Sequence, residues 1–334
     1  MSPKHLTFIE EIQDDLKATL QKALDYIQWE KHVKKDSVIF VKPNFTFPYY
    51  KEGITTNPEL LRCLLELLKS RAKRVVVGES DGGNHSFKAD DAFKSHNMYE
   101  ICKELGIELV NLSTLPSVYV EEKILSKTVK VQLPRLLLEE VDCFISVPVL
   151  KVHVMTTVTL SMKNLWGCYP DTMRCLHHQD LDYKLPLLAK CVKPKIVVID
   201  GTYALNNHGP MYGEAVPTNL IIAADNPVAA DAFGTRIMGF SPDQIGHIRV
   251  AEKAGLGSTK LEDMRINNNW QKYVKNFYLE RTMIDRLSRI PFNSDLLAKF
   301  IFKSPLTSLI YKIAVLLRTS QEKEVANKMK NMWD

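Results

Sequence analysis

The stretch "SVPVLKVHVMTTVTLSMKNLWG", residues 146–167, decides the fold because it joins a buried strand to charged side chains. It opens with a run of apolar residues, a pattern typical of a strand covered on both faces of a sheet. Lys151 and His153 follow this run, and Lys163 and Asn164 come one short polar helix later. Lysine is seldom fully buried in proteins. These side chains therefore either lie at the surface or meet a negatively charged group.

Similar short apolar segments occur on both sides of this stretch and alternate with amphipathic segments. The strands that we predict are 37–41, 72–80, 107–112, 142–150, 194–200 and 218–225. The helices that we predict between and after them are 55–70, 90–105, 183–191, 226–239 and 242–254. Such alternation predicts an α/β fold with a mostly parallel sheet covered by helices on both faces, Rossmann-like in architecture. The alternation within residues 117–133 adds a small antiparallel hairpin.

Three parts of the chain follow from this pattern. Residues 1–36 are expected to form an N-terminal helix packed on the core, because residues 6–34 have helical periodicity. Residues 37–269 are expected to form the α/β domain. Residues 270–334 are expected to form a helical extension that is both basic and apolar.

The segment "TTNPEL" carries signals for the start of a helix. Thr56 stands three residues before Glu59, as in a capping box, and Pro58 suits the first turn. The N–H groups at the start of this helix, near Asn57, are expected to offer an anion site at the sheet edge.

Polar side chains follow five of the predicted strands. In sheets of this kind, ligands bind beyond the carboxyl ends of the strands. The polar residues at those ends are Lys42 and Asn44, then Asp81, then Lys151 and His153, then Asp200, and finally Asp225 with Asp231 on the next helix. Because parallel strands end at one edge, we expect these side chains to share a site.

The lysines in this set favour a site for a small anion. Lys42, Lys151 and Lys163 place positive charge near one spot, with phosphate or carboxylate as the expected ligand. Anion-binding roles are also assigned to polar neighbours, namely Asn44, Thr56 and Asn164. A lysine crowded by other lysines can instead lose its proton and act as a base or an amine nucleophile. Anion binding is the favoured interpretation because it requires only charge.

The candidate catalytic residues are His153, Lys163, His208 and Asp81. Histidine titrates near neutral pH, so His153 and His208 suit proton transfer, and Asp81 suits orienting a histidine. Asp200 and Asp231 are the candidate ligands of a divalent metal. The adjacent residues His177 and His178 point apart, so we interpret them as incidental loop histidines. A metal site with Asp180 or Asp182 is the alternative.

Composition excludes several classes of protein. The 334 residues are 45% hydrophobic and 25% charged, as in ordinary globular proteins, and the net charge of +5 is too small to indicate a nucleic-acid partner. The six cysteines form no CxxC pair, and the first 30 residues have no apolar leader. We therefore expect a reducing, cytoplasmic location.

Residues 296–318 come nearest to a membrane segment. This stretch is apolar but interrupted by lysine and arginine, a combination that suggests a helix lying on a membrane surface, on the inner face of the membrane. A helix pair packed on the domain or on a second copy in a homodimer is the favoured interpretation, because apolar helical stripes mostly belong to a core.

The order of motifs resembles the domain of unknown function 362 family. The motifs are "VKPNF", "TTNPEL", "VVVGESDGG", "VPVLKVHVMTTVTLSMKNLWG", "VVIDGTYALNNHGP" and "AADNPVAADAFGTRIMGFSP", over roughly residues 37–260. The residues that match the family pattern are Lys42, Asn44, Thr56, Asp81, Lys151, His153, Lys163, Asn164, Asp200, Gly209, Pro210, Asp225, Pro227 and Asp231. Some members carry ferredoxin-like cysteine runs, which this sequence lacks, so the resemblance implies no such cluster here.

Three functions are compatible with these patterns. The first is an enzyme, an isomerase, lyase or transferase, that holds an anionic small molecule with Lys, His and Asp chemistry. The second is an accessory protein of redox or metallocofactor metabolism that binds a cofactor or hands it on. The third is a membrane-surface protein acting on a lipid-linked substrate. The cofactor content is left open.

Overall fold

The computed structural model describes residues 4–292, 294–307, 310, 320, 323 and 324. Its strands are β1 His5–Glu11, β2 Val38–Pro43, β3 Arg74–Glu79, β4 Glu108–Asn111, β5 Ser117–Ile124, β6 Lys127–Pro134, β7 Cys143–Val147, β8 Val149–His153, β9 Thr157–Thr159, β10 Pro194–Asn206, β11 Glu214–Ala224 and β12 Met264–Ile266. Its α-helices are α1 Leu16–Tyr26, α2 Pro58–Lys69, α3 Ala89–Ser95, α4 Met98–Leu105, α5 Arg135–Glu139, α6 Ser161–Asn164, α7 Leu181–Val192, α8 Pro227–Ile237, α9 Gly246–Lys253, α10 Met283–Phe292 and α11 Asp295–Lys303.

A ten-stranded mixed sheet forms the centre of the molecule. Eight of its strands lie in the order β12-β1-β11-β10-β7-β2-β3-β4, while β8 pairs with β10 and β9 pairs with β8. Within that row of eight, only β11 runs against the others, since it pairs antiparallel with both β1 and β10. The prediction of an α/β fold with a mostly parallel sheet is confirmed.

Helices cover both faces of this sheet because successive side chains of each buried strand point to opposite faces. Ile39 and Val41 of β2 pack into one core with α1, α2, α3 and α4. Phe40, between them, packs into the other core with α5 to α9. The antiparallel hairpin of β5 and β6, which confirms the predicted hairpin, contributes to this second core.

The predicted helix over residues 6–34 is wrong in its first part. Residues 5–11 form β1, residues 16–26 form an α-helix, and residues 29–31 form a short 3₁₀ helix. Phe8 packs into one core and Ile9 into the other, so this strand is covered on both faces. Periodicity alone cannot separate a short buried strand from a helix. The boundaries predicted for the three parts of the chain stay predictions.

The strand predicted over residues 142–150 is interrupted at one residue. Pro148 has no N–H to donate and separates β7 from β8. Lys151 and His153 therefore lie within β8, which pairs antiparallel with β9, rather than beyond the end of a strand. In this pairing Lys151 stands opposite Thr159. Side chains opposite each other across two strands share a face.

Asp225 lies at the opposite end of the strands from the other polar residues predicted to share the site. A short connection, residues 207–213, joins β10 to β11 and makes the two strands antiparallel. The carboxyl end of β11 therefore meets the start of β10, and Asp225 lies 3.7 Å from His5. The sequence prediction had assumed one direction for all five strands.

Two helices, α10 and α11, form the predicted C-terminal helical extension within the described residues. Ala298 of α11 packs against Cys175 and Leu176. Of the predicted surface helix over 296–318, residues 308, 309 and 311–318 lie outside the described part. No helix in the described ranges combines the length and the apolar character that crossing a membrane requires.

Candidate functional site

A cavity of about 330 Å³ opens at the carboxyl ends of β2 and β3. Six of the predicted site residues line it, namely Lys42, Asn44, Lys151, His153, Lys163 and Asn164. Segments that follow β9 supply further lining residues, among them Trp166, Arg174 and His178. The sheet edge, the β8–β9 pair and α6 thus converge on one space.

Basic side chains outnumber acidic ones in the lining of the cavity. Lys42, Lys151, Lys163 and Arg174 line it, and Glu79 is the one carboxylate that the described residues add to the lining. A wall of this kind attracts anions, because charges act more strongly across a partly desolvated space than across water.

Lys42 is neutralised by Glu79. Its Nζ lies 2.5 Å from Glu79 Oε2 and donates also to the carbonyl of Pro43 at 2.7 Å, with both side chains buried. The backbone N–H of Phe45 donates to the same carboxylate at 3.2 Å. Gly167 passes so close that a Cβ there would lie 2.5 Å from Glu79 Oε1. Residue 167 must therefore be a glycine for the backbone to pass this close to the ion pair.

Lys151 is fully buried and bound by neutral groups. Its Nζ donates to the carbonyl of Ile54 at 2.6 Å and to Oδ1 of Asn44 at 3.2 Å. Burial, followed by the charge of Lys163, holds the pKa of Lys151 well below its usual range.

Arg174 is a buried cation whose donors are used by the protein. Nη1 donates to Ser80 Oγ at 2.6 Å and to the carbonyl of Tyr169 at 2.9 Å, and Nη2 donates to the carbonyl of Asp81 at 2.6 Å. None of these acceptors is a carboxylate, so the charge of Arg174 adds to the field of the cavity.

Lys163 differs from the other three cations, because its Nζ has no hydrogen-bond or ion-pair acceptor among the described residues. Burial lowers the pKa of Lys163 to about 7, and the charge of Arg174 adds to this effect. The side chain therefore holds a proton only weakly at neutral pH.

The short helix α6 that carries Lys163 is held at its start by Asp231. The Asp231 carboxylate accepts N–H groups from Ser161 at 2.6 Å and from Met162 at 3.0 Å. Burial raises the pKa of Asp231 to about 8. At the other end, Asn164 Nδ2 donates to the carbonyl of Lys42 at 3.0 Å. Both ends of the helix are thus fixed beside the cavity.

His153 presents one nitrogen to the cavity. Its Nδ1 accepts the backbone N–H of Met155 at 3.0 Å. Burial, then the charges of Lys163 and Lys151, holds the pKa of His153 well below its usual range. The ring is therefore neutral near pH 7 and carries its proton on Nε2, which is available as a donor.

Three other predicted site residues do not line the cavity and instead form hydrogen bonds within the protein. His208 Nδ1 accepts the N–H of Gly209 at 2.9 Å, and its Nε2 donates to Asp285 Oδ2 at 2.8 Å. Asp81 Oδ1 accepts from the N–H of Ala89 and from Nδ2 of Asn111, both at 2.8 Å.

Thr56, the third of them, binds backbone instead of capping a helix. Its Oγ1 accepts from Asn44 N at 2.8 Å and donates to the carbonyl of Val147 at 2.9 Å. The predicted capping box is wrong, because the N-cap of α2 is Asn57. The predicted anion site there is already filled, since the N–H of Asn57 donates to Asp200 Oδ2 at 2.7 Å.

The two carboxylates predicted to bind a metal each serve the backbone. Asp231 holds α6, whereas Asp200 holds the start of α2 and both the N–H and the hydroxyl of Thr202. No cluster of three or more His, Cys, Asp or Glu side chains suited to a metal occurs within the described ranges. The described residues give the metal prediction no support.

Sequence reasoning missed several lining residues. His178 was interpreted as incidental, and Arg174 was not selected, because both lie on a segment after the strands whose packing no periodicity reveals. Thr159 Oγ1 and Trp166 Nε1 are buried and have no partner in the part of the chain that the structure describes. Buried polar atoms without partners are uncommon and often mark a place for water or a ligand.

Comparisons with known proteins identify relatives of the chain. A family model described as "Domain of unknown function (DUF362)" matches residues 39–236, more than half of the chain, and the predicted resemblance is confirmed. Thylakoid-associated protein sll1697 from Synechocystis sp. is 31% identical over 130 residues, which are 37% of this chain. The chain thus spans 40% of that relative's length. A crystal structure of a Thermotoga maritima protein aligns over 62% of this chain and 55% of its own, with 13% identity and a TM-score of 0.35.

Proposed function

The chain belongs to the family described as "Domain of unknown function (DUF362)", and we propose that this member is an enzyme acting on a small molecule with a phosphate or carboxylate group. The observation that carries the proposal is the basic lining of the cavity, where Lys42, Lys151, Lys163 and Arg174 accompany a single carboxylate among the described residues. Its volume of about 330 Å³ suits a small metabolite.

The cations divide into two groups in this proposal. Lys42, Lys151 and Arg174 already have protein acceptors, and Arg174, whose acceptors among the described residues are all neutral, supplies a fixed positive charge. Lys163 has no acceptor in the described residues and contacts the anion directly. His153 Nε2 adds a neutral donor to the same group. Preorganised donors of this kind stabilise negative charge without reorganising during a reaction.

The chemistry that best suits the site is proton transfer. A general acid or base works best with a pKa near the working pH. Burial brings the pKa of Lys163 to about 7, so this amine can give or take a proton near neutrality. Isomerisation, elimination and group transfer all use such a step.

A binding experiment tests the proposal. We expect inorganic phosphate or small carboxylates to raise the thermal midpoint of the full chain, since a ligand at 100 times its Kd stabilises by about 2.7 kcal/mol. The Lys163→Met variant should lose this stabilisation, and the exposed control Lys94→Met should keep it. Equal stabilisation of both variants would place the anion elsewhere.

A second candidate function is attachment to a membrane surface through α10 and α11. Large apolar side chains on these helices face outward, among them Met283 at 61% exposure and Leu296 at 79%. The charged side chains described as exposed on the same helices, Arg286, Arg289, Lys299 and Lys303, are all positive. Apolar and basic residues together favour an anionic bilayer. The relative is named a thylakoid-associated protein.

Vesicle flotation tests this attachment. We expect the full chain to float with vesicles that contain anionic lipid and to remain unbound with purely zwitterionic ones. Replacing Leu287 and Phe300 by serine should abolish flotation, whereas Tyr99→Ser, exposed on α4, should not. If the double variant only converts a dimer to a monomer, the face joins two copies, as the homodimer alternative predicts.

The alternative of an accessory protein for a metallocofactor stays a prediction. Native mass spectrometry of protein purified without oxygen tests it, since a bound cofactor adds mass that denaturation removes.

A further inference from the structure

We infer that Lys163 forms an imine with its substrate, so that the substrate class is an anion that also carries an aldehyde or ketone group. This inference rests on the proposed anion-binding function and assigns the reacting atom within it. It is carried by the position of Lys163 Nζ, a primary amine on the cavity wall with no acceptor in the described residues.

The contacts of Lys163 differ from those of Lys42 and Lys151, the other two lysines that line the cavity. Lys42 is locked in an ion pair with Glu79, and Lys151 donates to two oxygens. Lys42 is engaged by a carboxylate, and the Lys151 side chain is fully buried against its two acceptors, so neither amine is placed to attack a carbonyl in the cavity. Within the described part of the chain Lys163 has no such acceptor, and it shares its space with Arg174, whose charge opposes protonation. A lysine in such surroundings is a suitable nucleophile.

The backbone around Lys163 is fixed on both sides. Asp231 holds the N–H groups of Ser161 and Met162, and Asn164 Nδ2 binds the Lys42 carbonyl and Ser146 Oγ. A nucleophile held by a rigid backbone meets its substrate with little further loss of freedom.

The remaining lining residues suit a carbonyl-bearing anion. His153 Nε2–H is a neutral donor that can polarise a carbonyl oxygen, and its ring stays neutral because burial and the nearby lysines oppose its protonation. The charge of Arg174, whose acceptors are all neutral, attracts the anionic group of the same molecule.

The step balances without any further reactant. The neutral amine of Lys163 attacks the carbonyl carbon, and a C–N bond forms while the carbonyl electron pair moves to oxygen. That oxygen takes up the two amine hydrogens and leaves as water, and the nitrogen lone pair completes the C=N bond. Nothing is oxidised or reduced, and water returns the substrate by the reverse path.

Borohydride trapping tests the inference. The full chain is incubated with glyoxylate or pyridoxal 5′-phosphate, each an anion with an aldehyde, and reduced with cyanoborohydride before peptide mass spectrometry. We expect the adduct at Lys163 to form at least about 10-fold faster at pH 7 than at exposed lysines, whose pKa near 10.4 keeps them protonated. The Lys163→Arg variant should lose this adduct, and the exposed control Lys94→Arg should retain it.

The outcomes separate the imine from anion binding. If inorganic phosphate stabilises the protein but Lys163 reacts no faster than exposed lysines, the imine is excluded and the proposed function stands. If phosphate also has no effect, both fail. Should Lys163→Arg not fold, the wild type decides alone, because the Lys163 adduct must reach half its maximal rate near pH 7. A rate that keeps rising to pH 10, as for an exposed lysine, overturns the inference.

Discussion

At the scale of single residues, the burial of Lys163, which has no acceptor among the described residues, has a consequence for stability. Burial lowers its pKa to about 7 from the ordinary 10.5. Between these two pH values the unfolded chain binds more protons than the folded one, so the stability of the protein rises with pH. The free-energy cost of burying the protonated Lys163 is therefore complete below about pH 7 and absent above about pH 10.5, the ordinary pKa of lysine.

We therefore expect Lys163→Met to stabilise the ligand-free protein near pH 7, by on the order of 2 kcal/mol after allowance for solvent screening. The advantage should shrink toward zero as pH rises to 10. Urea unfolding of the wild type and the variant at pH 7, 8.5 and 10 measures this, with Lys94→Met as the exposed control. A constant difference at all three pH values would contradict the assigned titration.

Asp231 provides a second residue-level prediction, because one carboxylate accepts two N–H groups of α6. In Asp231→Asn one acceptor oxygen becomes an NH₂ group that faces a backbone donor. We expect a loss of about 1–3 kcal/mol, the cost of unpaired buried polar groups. Phosphate binding should weaken as well, since α6 carries Lys163. Calorimetry of unfolding and of phosphate binding measures both.

The control for that variant is Asp243→Asn, an exposed carboxylate. If Asp231→Asn loses stability but binds phosphate as the wild type does, Asp231 supports the fold and does not position Lys163.

The sequence predicts members of the candidate site only where the topology of the sheet brings them together. Lys42, Lys151 and Lys163 were predicted together because strand ends and the segment after them share one edge. His208 was selected for its chemistry, but its partner Asp285 lies 77 residues away and occupies the nitrogen. A partner at that separation has no local pattern in the sequence, so the engagement of His208 could not be predicted.

At the scale of elements, the contact between β8 and the 207–213 connection gives a sharp test. A Cβ at Gly209 would lie 2.0 Å from the carbonyl oxygen of Val152 on β8. Gly209→Ala must push the connection away from the strand, and we expect a loss of about 2 kcal/mol or more. Phosphate binding should weaken too, because Pro210 and Met211 line the cavity. Thermal unfolding with and without phosphate provides the measurement.

Gly83→Ala is the matched control for stability, since the nearest atom to its added Cβ would be Arg174 Nη2 at 3.9 Å. Equal midpoints for the two variants would show that the connection is free to move away from β8.

The same elements explain which parts of the fold the sequence predicts. The strands and helices from 37 to 112 follow the expected order because short apolar runs and amphipathic helices alternate cleanly there, except that the one helix predicted over 90–105 is two helices, α3 and α4. β1 was missed because a seven-residue strand buried on both faces has no alternation of polar and apolar residues. The reversal of β11 was missed because a strand's direction depends on its connection and not on its composition.

At the scale of the whole molecule, the C-terminal extension is joined to the cavity wall. Arg281 Nε donates to the carbonyl of Val154 at 2.7 Å, next to His153. Asp285, buried on α10, accepts Nε2–H of His208 and the N–H and hydroxyl of Thr282. The helices proposed to meet a membrane and the cavity proposed to hold the substrate are therefore connected through this carboxylate.

Asp285→Ala should release that connection. The variant leaves the buried Nε2–H of His208 without this acceptor, and hydrogen bonds to charged groups contribute about 1.5–3 kcal/mol. We expect amide exchange in residues 283–292 to accelerate by about 10-fold or more, since an opening free energy reduced by 1.4 kcal/mol gives that factor. Phosphate binding should weaken, because His208 precedes the connection that carries Pro210 and Met211.

Asp243→Ala controls for the loss of an exposed carboxylate. Faster exchange in α10 with unchanged phosphate binding would mean that the extension moves independently of the cavity, and unchanged exchange would mean that Asp285 does not hold the helix.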